Sequence, residues 1–309
     1  MKILITGGAG FIGSHIADAY IELGHSVVIV DDLSTGFEEN INPKAKFYKL
    51  DIRDLEGLRE IFEKEKPEIV NHHAAQIDVR KSLQDFLFDA EVNIIGSLNI
   101  LKLSLDYGVK KFIFASTGGA IYGEPLYIPA DEKHPALPLS PYGAAKLSIE
   151  HYLYVFHQNF SLPYIALRYA NVYGPRQNPL GEAGVVAIFT DKMVKGERPI
   201  IFGDGEQTRD FVYIKDVVSA NIIALETEKV GVFNIGTGKR TSVNEVFRKI
   251  KEALGEEIEP IYAEERKGEV RHIALDYSLA ERELGWRPQY DFDSGLRETI
   301  DFYKKPRNA

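Results

Sequence analysis

Cysteine is absent from this chain. That excludes disulfide frameworks, thiol nucleophiles, cysteine–zinc sites and cysteine-ligated iron–sulfur clusters. Positive charge is also in deficit: 37 Lys and Arg stand against 46 Asp and Glu, for a net charge of −9. Nucleic acid as a partner would need a basic surface to neutralise its phosphates, whereas a small anionic ligand needs only a local basic pocket. Long apolar runs are missing too. The longest stretch free of Asp, Glu, Lys and Arg is 151–167, and it holds two His, a Gln, an Asn and a Pro, so it is no membrane span. The apolar run 3–5 is too short for a signal peptide's core. The expectation is a soluble, cytoplasmic globular protein. Its 309 residues suggest two domains and bury enough surface to need no covalent staple.

Short apolar runs alternate with longer amphipathic ones. Residues 2–6, 26–30, 46–49, 68–72, 111–116 and 164–169 read as strands. Residues 10–23, 87–107 and 142–159 read as helices, and Leu55, Leu58, Ile61 and Phe62 recur at helical spacing. Uninterrupted apolar strands between helices imply a parallel sheet covered on both faces. The expected fold class is α/β: a Rossmann-type, doubly wound parallel sheet. After Tyr169 the pattern loosens into helices near 188–195, 243–254 and 278–284 with short strands between them, which indicates a second, smaller α/β lobe. The tail 304–309 is polar.

Thr6-Gly7-Gly8-Ala9-Gly10-Phe11-Ile12-Gly13 leaves the first strand and opens the first helix. Gly7, Gly10 and Gly13 form G-x-x-G-x-x-G. Glycines at such a turn permit the tight bend, admit a pyrophosphate close to the backbone and let helix pack on strand, with the anion at the helix N-terminus. Alone, the motif does not separate a nucleotide site from a plain glycine turn. The second strand ends at Asp31-Asp32, and Asp31 follows Gly13 by 18 positions, near the ~20 expected for an acid on a ribose diol. A carboxylate there repels a 2′-phosphate and favours NAD over NADP. Asp32 stays open between a diol contact and a solvated turn residue. Asp51-Ile52, after the third strand, suits an adenine. Ala74-Ala75-Gln76, after the fourth, leaves room for a dinucleotide. Neighbouring His72 and His73 point to opposite faces of a strand, which favours packing over a shared metal, and no metal is expected.

Ser140-Pro141-Tyr142-Gly143-Ala144-Ala145-Lys146 opens a long helix. Tyr142 and Lys146, at i and i+4, share a face. A phenol with an ordinary pKa near 10 is a poor base at neutral pH, and a nearby ammonium lowers that value. The pair suits proton acceptance from a hydroxyl undergoing oxidation. Thr117, just past strand 111–116, supplies a hydroxyl that can relay the proton.

With this loop, the Tyr142/Lys146 pair and the upstream hydroxyl, the chain resembles the extended short-chain dehydrogenase/reductase superfamily over nearly its whole length. Residues 75–82, 168–177 and 203–212 are similar to markers of its nucleotide-sugar members. Ser-Thr-Gly-Gly-Ala-Ile-Tyr-Gly at 116–123 is similar to the corresponding segment of the UDP-glucose 4-epimerase (UDP-galactose 4-epimerase) branch. The resemblance implies NAD-dependent 4-epimerisation of a UDP-sugar, interconverting UDP-glucose and UDP-galactose through a transient 4-keto sugar, with tightly held NAD reduced and reoxidised within one turnover. It implies catalytic roles for Tyr142 as proton acceptor, Lys146 as holder of the nicotinamide ribose and depressor of the Tyr142 pKa, and Thr117 as a bridge. It implies NAD contacts from Gly7, Gly10, Phe11, Ile12, Gly13, Asp31, Asp32, Asp51, Ile52, Ala74, Ala75, Gln76, Asn93, Tyr142, Lys146 and Tyr169, the last beside the nicotinamide. Substrate contacts are implied for Thr117, Tyr142, Asn171, Ile201, Phe202, Arg209, Arg266 and Glu269. Of these, Asn171, Arg209 and Arg266 serve the diphosphate, which a guanidinium can bind bidentately. Residues 200–202 lie beside the uracil, and Glu269, where the family has Asp, serves the uridine ribose. Residues 1–168, with parts of 210–235 and 271–283, become the NAD-binding domain, and 169–309 mainly the nucleotide-sugar lobe, interleaved with it. Family members often dimerise through a four-helix bundle, so a homodimer through 87–107 and 142–159 is expected.

The related 4,6-dehydratases carry an Asp-Glu pair just after the hydroxyl, and decarboxylases a nearby Glu. Here Gly118 and Gly119 stand in those places, so elimination lacks its acid and base. A 4-epimerase of another UDP-sugar (UDP-GlcNAc or UDP-glucuronate) stays open, because the pocket-wall tyrosine of the family corresponds to Ile273 here. A non-catalytic NAD-sensing protein would need Asp31 and the loop but neither Tyr142 nor Lys146. Arg168 and Arg176 read as structural candidates.

Overall fold

In the computed structural model, residues 1–180, 184–265 and 270–305 are described. The first six strands are β1 (Lys2–Thr6), β2 (Ser26–Asp31), β3 (Lys46–Lys49), β4 (Ile69–His72), β5 (Lys111–Thr117) and β6 (Tyr164–Tyr169). Shorter ones follow: β7 (Asn171–Tyr173), β8 (Ile200–Phe202), β9 (Thr208–Arg209), β10 (Phe211–Tyr213), β11 (Gly231–Ile235), β12 (Thr241–Ser242) and β13 (Ile261–Ala263). Helices α1 (Phe11–Glu22), α2 (Leu55–Glu65), α3 (Val79–Gln84), α4 (Phe86–Ala90), α5 (Ser97–Asp106), α6 (Gly118–Ile121) and α7 (Pro141–Phe160) belong to the first half of the chain. The second half adds α8 (Val185–Val194), α9 (Ile214–Glu226), α10 (Val243–Leu254), α11 (Ser278–Leu284) and α12 (Phe292–Lys304).

Seven strands form one sheet in the order β11-β6-β5-β4-β1-β2-β3, every neighbouring pair parallel. The alternation of side chains along each strand splits the core in two. Ile3, Ile5, Ile29, Ile113 and Leu167 face α1 and α9, with Tyr20, Val217 and Ala220 in the same cluster. Leu4, Val28, Val70, Phe112 and Ala166 face α2, α5 and α7, with Phe62, Leu101 and Ile149. This is the α/β doubly wound sheet read from the sequence. Strand order reverses at β1, which lies between β2 and β4, and a crevice opens at such a point beyond the carboxyl ends of the strands.

The chain after β6 builds three two-stranded sheets, β10-β7, β12-β9 and β13-β8. It also returns β11 to the main sheet beside β6. Among the described residues, no helix is long and apolar enough to cross a membrane.

The helix expected over 87–107 is broken. Asp85 caps α4 by accepting a hydrogen bond from the Phe88 amide, and Glu91–Gly96 widens into a π-helix before α5 begins. Besides the short α3 and α6, two longer helices lie outside the elements read from the sequence. One is α9, which starts directly after β10 and is rich in Val and Ile; the other is α12.

Candidate active site

The glycine loop sits at the switch point. Gly7 (φ 71°) donates to Val30 O at 2.9 Å, and Gly10 donates to Gly7 O at 3.2 Å. A Cβ on Gly7 would stand 2.6 Å from the Ala74 nitrogen, and one on Gly13 2.2 Å from Gly7 O. Both glycines are therefore required by close backbone packing. A Cβ on Gly10 would meet only Gly7 O, at 3.2 Å, so open space lies before it. Gly10 caps α1 without a side-chain bond, and no acid occupies the first turn. The helix N-terminus is left to an anion. Phe11 and Ile12 anchor that turn to the core. These features fit the pyrophosphate of a dinucleotide.

Asp31 is buried and accepts from the amides of Ala9 (3.0 Å) and Leu33 (2.8 Å). Burial holds its carboxyl above the usual range despite those bonds. Asp32 is exposed and accepts from the Ser34 amide and hydroxyl, the geometry of a turn residue. Asp51 is gripped by Arg53 through Nη2 at 2.6 Å and Nε at 2.9 Å. It lines a hollow of about 450 Å³ with Arg53, Asp54, Glu91 and Ile95. Ile52 is buried and leaves no room for a side chain at Gly96.

Thr6 Oγ1 lies 2.6 Å from His72 Nδ1 and accepts from the Ala74 amide at 3.2 Å. His72 Nε2 lies 2.8 Å from Ser97 Oγ. This tie carries β4 into Ala74, Ala75 and Gln76. The carboxamides of Gln76 and Asn93 are spent on each other's surroundings. Asn93 pairs with the Gln76 amide and carbonyl, both at 2.9 Å, and both side chains donate to Asp89 Oδ1 at 2.9 Å. Gln76 and Asn93 thus brace the wall of the crevice. His73 stacks on Tyr169 (ring centroids 6.1 Å apart), and the Tyr169 hydroxyl accepts from Asn221 Nδ2 at 2.8 Å. His72 and His73 are packing residues, and among the described residues no group of three His, Cys, Asp or Glu could hold a metal.

Helix α7 begins where Ser140 Oγ accepts from the Gly143 amide and Pro141 takes the first turn. A Cβ on Gly143 would lie 2.5 Å from Ala120 O, so the start of α7 is pressed onto α6. That seat places Tyr142 beside Thr117, whose hydroxyl favours the phenolate. Lys146, 4 % exposed, donates from Nζ to Ala115 O at 2.9 Å, with Nζ 6.0 Å from the Tyr142 ring centroid. The expected depression of Tyr142 by Lys146 is not found. Burial pushes the Tyr142 phenol up, the charge of Asp89 adds to this, and only Thr117 opposes it. The ammonium is turned to the Ala115 carbonyl, and burial brings its own pKa down to about 8.

Gly119 lies between Thr117 and Asn171: a Cβ there would stand 3.8 Å from Thr117 Oγ1 and 3.7 Å from Asn171 Oδ1. At Gly118 a Cβ would be 2.3 Å from Leu275 Cδ1, so a side chain there would have to displace the buried Leu275. In β8, Ile201 is turned fully into the core while Phe202 is half-buried. The alternation of the strand turns the two side chains to opposite faces. Arg209 Nη1 donates to Thr208 O at 3.1 Å. Arg266 and Glu269 lie outside the described residues. Ile273 is buried in the main core. Asp210, unassigned from the sequence although it adjoins Arg209, is a brace that accepts from four donors: the Thr237 amide and hydroxyl and the Gly238 and Leu275 amides.

The model of the NAD dependent epimerase/dehydratase family matches residues 3–236. The chain is similar to a UDP-glucose 4-epimerase of Thermotoga maritima, solved with UDP-glucose, at 53% identity and a TM-score of 0.97 over 98% of both chains. It is similar to a UDP-glucose 4-epimerase of Thermus thermophilus in complex with NAD, at 43% identity and a TM-score of 0.93, covering 98% of this chain and 99% of that one. A UDP-N-acetylglucosamine 4-epimerase of Methanobrevibacter ruminantium matches at 39% identity and a TM-score of 0.92, over 98% and 97%. The glycine loop at the switch point, the Tyr142/Lys146 face against β5 and these likenesses converge: the chain belongs to the NAD dependent epimerase/dehydratase family.

Proposed function

We propose that this chain catalyses NAD-dependent 4-epimerisation of a UDP-sugar, interconverting UDP-glucose and UDP-galactose through a transient 4-keto sugar. The observation that carries the reading is the Tyr142/Lys146 face of α7 set against Thr117 at the end of β5. When bound, NAD supplies a hydride acceptor and donor and, when oxidised, a positive charge that favours phenolate in a buried site. Tyr142 takes the proton of the sugar 4-hydroxyl and returns it after the keto sugar has presented its other face. Thr117 bridges hydroxyl and phenol. Lys146, held by Ala115 O, supplies a fixed cation and holds the nicotinamide ribose. Gly118 and Gly119 offer no carboxylate for elimination.

In the division of labour we propose, residues 1–168, with parts of 210–235 and 271–283, hold NAD. Asp31 takes the ribose diol, and Gly10 and the first turn of α1 take the pyrophosphate. The lobe mainly within 169–309 holds the nucleotide sugar through Asn171, Phe202, Arg209, Arg266 and Glu269. Exposed Leu87 and Ile95 on one segment and Tyr154 and Val155 on α7 support a homodimer through these helices. A cytoplasmic setting is supported by the lack of cysteine.

The test is a panel of UDP-galactose, UDP-GlcNAc and UDP-glucuronate given to pure protein with no added reductant. Conversion of UDP-galactose to UDP-glucose is expected to be fastest. A preference for UDP-GlcNAc would move the assignment to that sugar, and no conversion of any of them by NAD-loaded protein would defeat it.

A further inference from the structure

Tyr142, Lys146 and Glu150 follow one another at four-residue steps on α7, and each meets the end of β5. Tyr142 lies beside the Thr117 hydroxyl, Lys146 Nζ reaches Ala115 O at 2.9 Å, and Glu150 Oε1 accepts from Ser116 Oγ at 2.5 Å. The third rung is locked from outside. Arg168 on β6 donates to Glu150 through Nη2 at 2.6 Å and Nε at 3.0 Å. Arg168 Nη1 donates to the Tyr122 hydroxyl at 2.9 Å, and that hydroxyl donates to Asn234 Oδ1 at 2.7 Å. Glu150 is 4 % exposed and Arg168 6 %.

A buried ion pair is costly to desolvate and is often no more stabilising than an apolar pair of the same volume. Its geometric demand is another matter, because a bidentate guanidinium–carboxylate contact tolerates little displacement. We propose that Glu150, clamped by Arg168, is a positioning residue that sets the register of α7 against the Ala115–Thr117 end of β5, so that Tyr142 and Lys146 meet Thr117 and Ala115 O in the reactive arrangement. The inference rests on the proposed roles of Tyr142 and Lys146. Apart from Glu150, the charged and titratable groups facing Lys146 are Tyr142, Asp89, His72 and His73. Those facing Glu150 are Lys146, Arg168 and Tyr164.

Two variants of the NAD-loaded enzyme test this. Ser116→Ala cuts the rung from β5 and leaves the ion pair whole. Glu150→Met/Arg168→Met removes both partners of the clamp together and leaves Asp89 as the carboxylate facing Lys146. We expect both to fold and retain NAD, with kcat falling about tenfold in the first and about a hundredfold in the second, and KM within about twofold of the parent, since only transition-state alignment is lost. The ¹⁵N resonance of the Lys146 ammonium, read without turnover, should move in both. Parent-like kcat and an unmoved Lys146 resonance in folded Ser116→Ala would overturn the proposal. If the double variant fails to fold, Ser116→Ala decides alone. A parent protein inactive on every UDP-sugar would defeat the proposed function instead, and the Lys146 resonance would still report on the register.

Discussion

Lys146 Nζ donates to the carbonyl of Ala115 at 2.9 Å, two residues before Thr117. One backbone acceptor thus holds the ammonium at the same strand end that presents the hydroxyl to Tyr142. The bond also turns the ammonium toward β5, which explains why burial rather than the lysine governs the Tyr142 phenol.

Tyr142→Phe removes the proposed proton acceptor and should leave the fold and the NAD site intact. Turnover should fall by about 10²–10⁴-fold, the range of a lost general base. NAD released from the denatured variant should match the parent, as read by chromatography.

In its proposed role, Lys146 should set the basic limb of the pH profile. Its folded pKa, about 8, lies below the ordinary 10.5, so its cation is lost as pH rises through about 8. The rate should fall above that pH. Stability moves the other way: between about 8 and 10.5 the unfolded chain holds a proton that the folded chain lacks, so this group's contribution to stability rises with pH there. A rate profile flat to pH 10 would remove the cation from its role.

With Asp31 on the ribose diol, as proposed, NAD retention should depend on acid. Its carboxyl sits above the usual range, and only the ionised form accepts two ribose hydroxyls. NAD should dissociate more readily as pH falls through this raised value. Asp31→Asn should bind NAD more weakly and lose the dependence, as measured by equilibrium dialysis.

The two helix-side glycines of the loop should respond differently. Gly13→Ala places a Cβ 2.2 Å from Gly7 O and should disrupt the loop and lower the melting temperature. Gly10→Ala meets one backbone atom at 3.2 Å and should fold while losing NAD affinity, because its methyl occupies the space in front of the helix.

Leu87 and Tyr154 are 68% and 56% exposed. Leu87→Glu/Tyr154→Glu should turn a dimer into a monomer in sedimentation. A parent chain already monomeric would contradict the proposed assembly.

Much of the fold was legible because the strands of a doubly covered parallel sheet carry unbroken apolar runs. The bounds of β1 and β6 coincide with the runs at 2–6 and 164–169, those of the edge strand β3 with 46–49, and α10 and α11 with 243–254 and 278–284. Hydrophobic period does not reveal a π-turn, so the break at Glu91–Gly96 was invisible; it follows from Asp89 and Asn93 reaching back to Gln76. Val217, Val218, Ile222 and Ile223 give α9 a strand-like composition just after a true strand. The spacing of Tyr142 and Lys146 showed that they share a face, but not that the ammonium is held by Ala115 O, since a backbone acceptor has no sequence signature. The roles of Asp89, Asp210 and Glu150 arise from contacts with residues distant in sequence, which no local motif records.

Deuterium at C4 tests the central claim most directly. UDP-[4-²H]galactose, incubated with pure NAD-loaded protein and no other cofactor, should yield UDP-glucose with the deuterium still at C4, because the hydride leaves and returns within one closed site. Loss of the label to solvent, or no UDP-glucose at all, would contradict it.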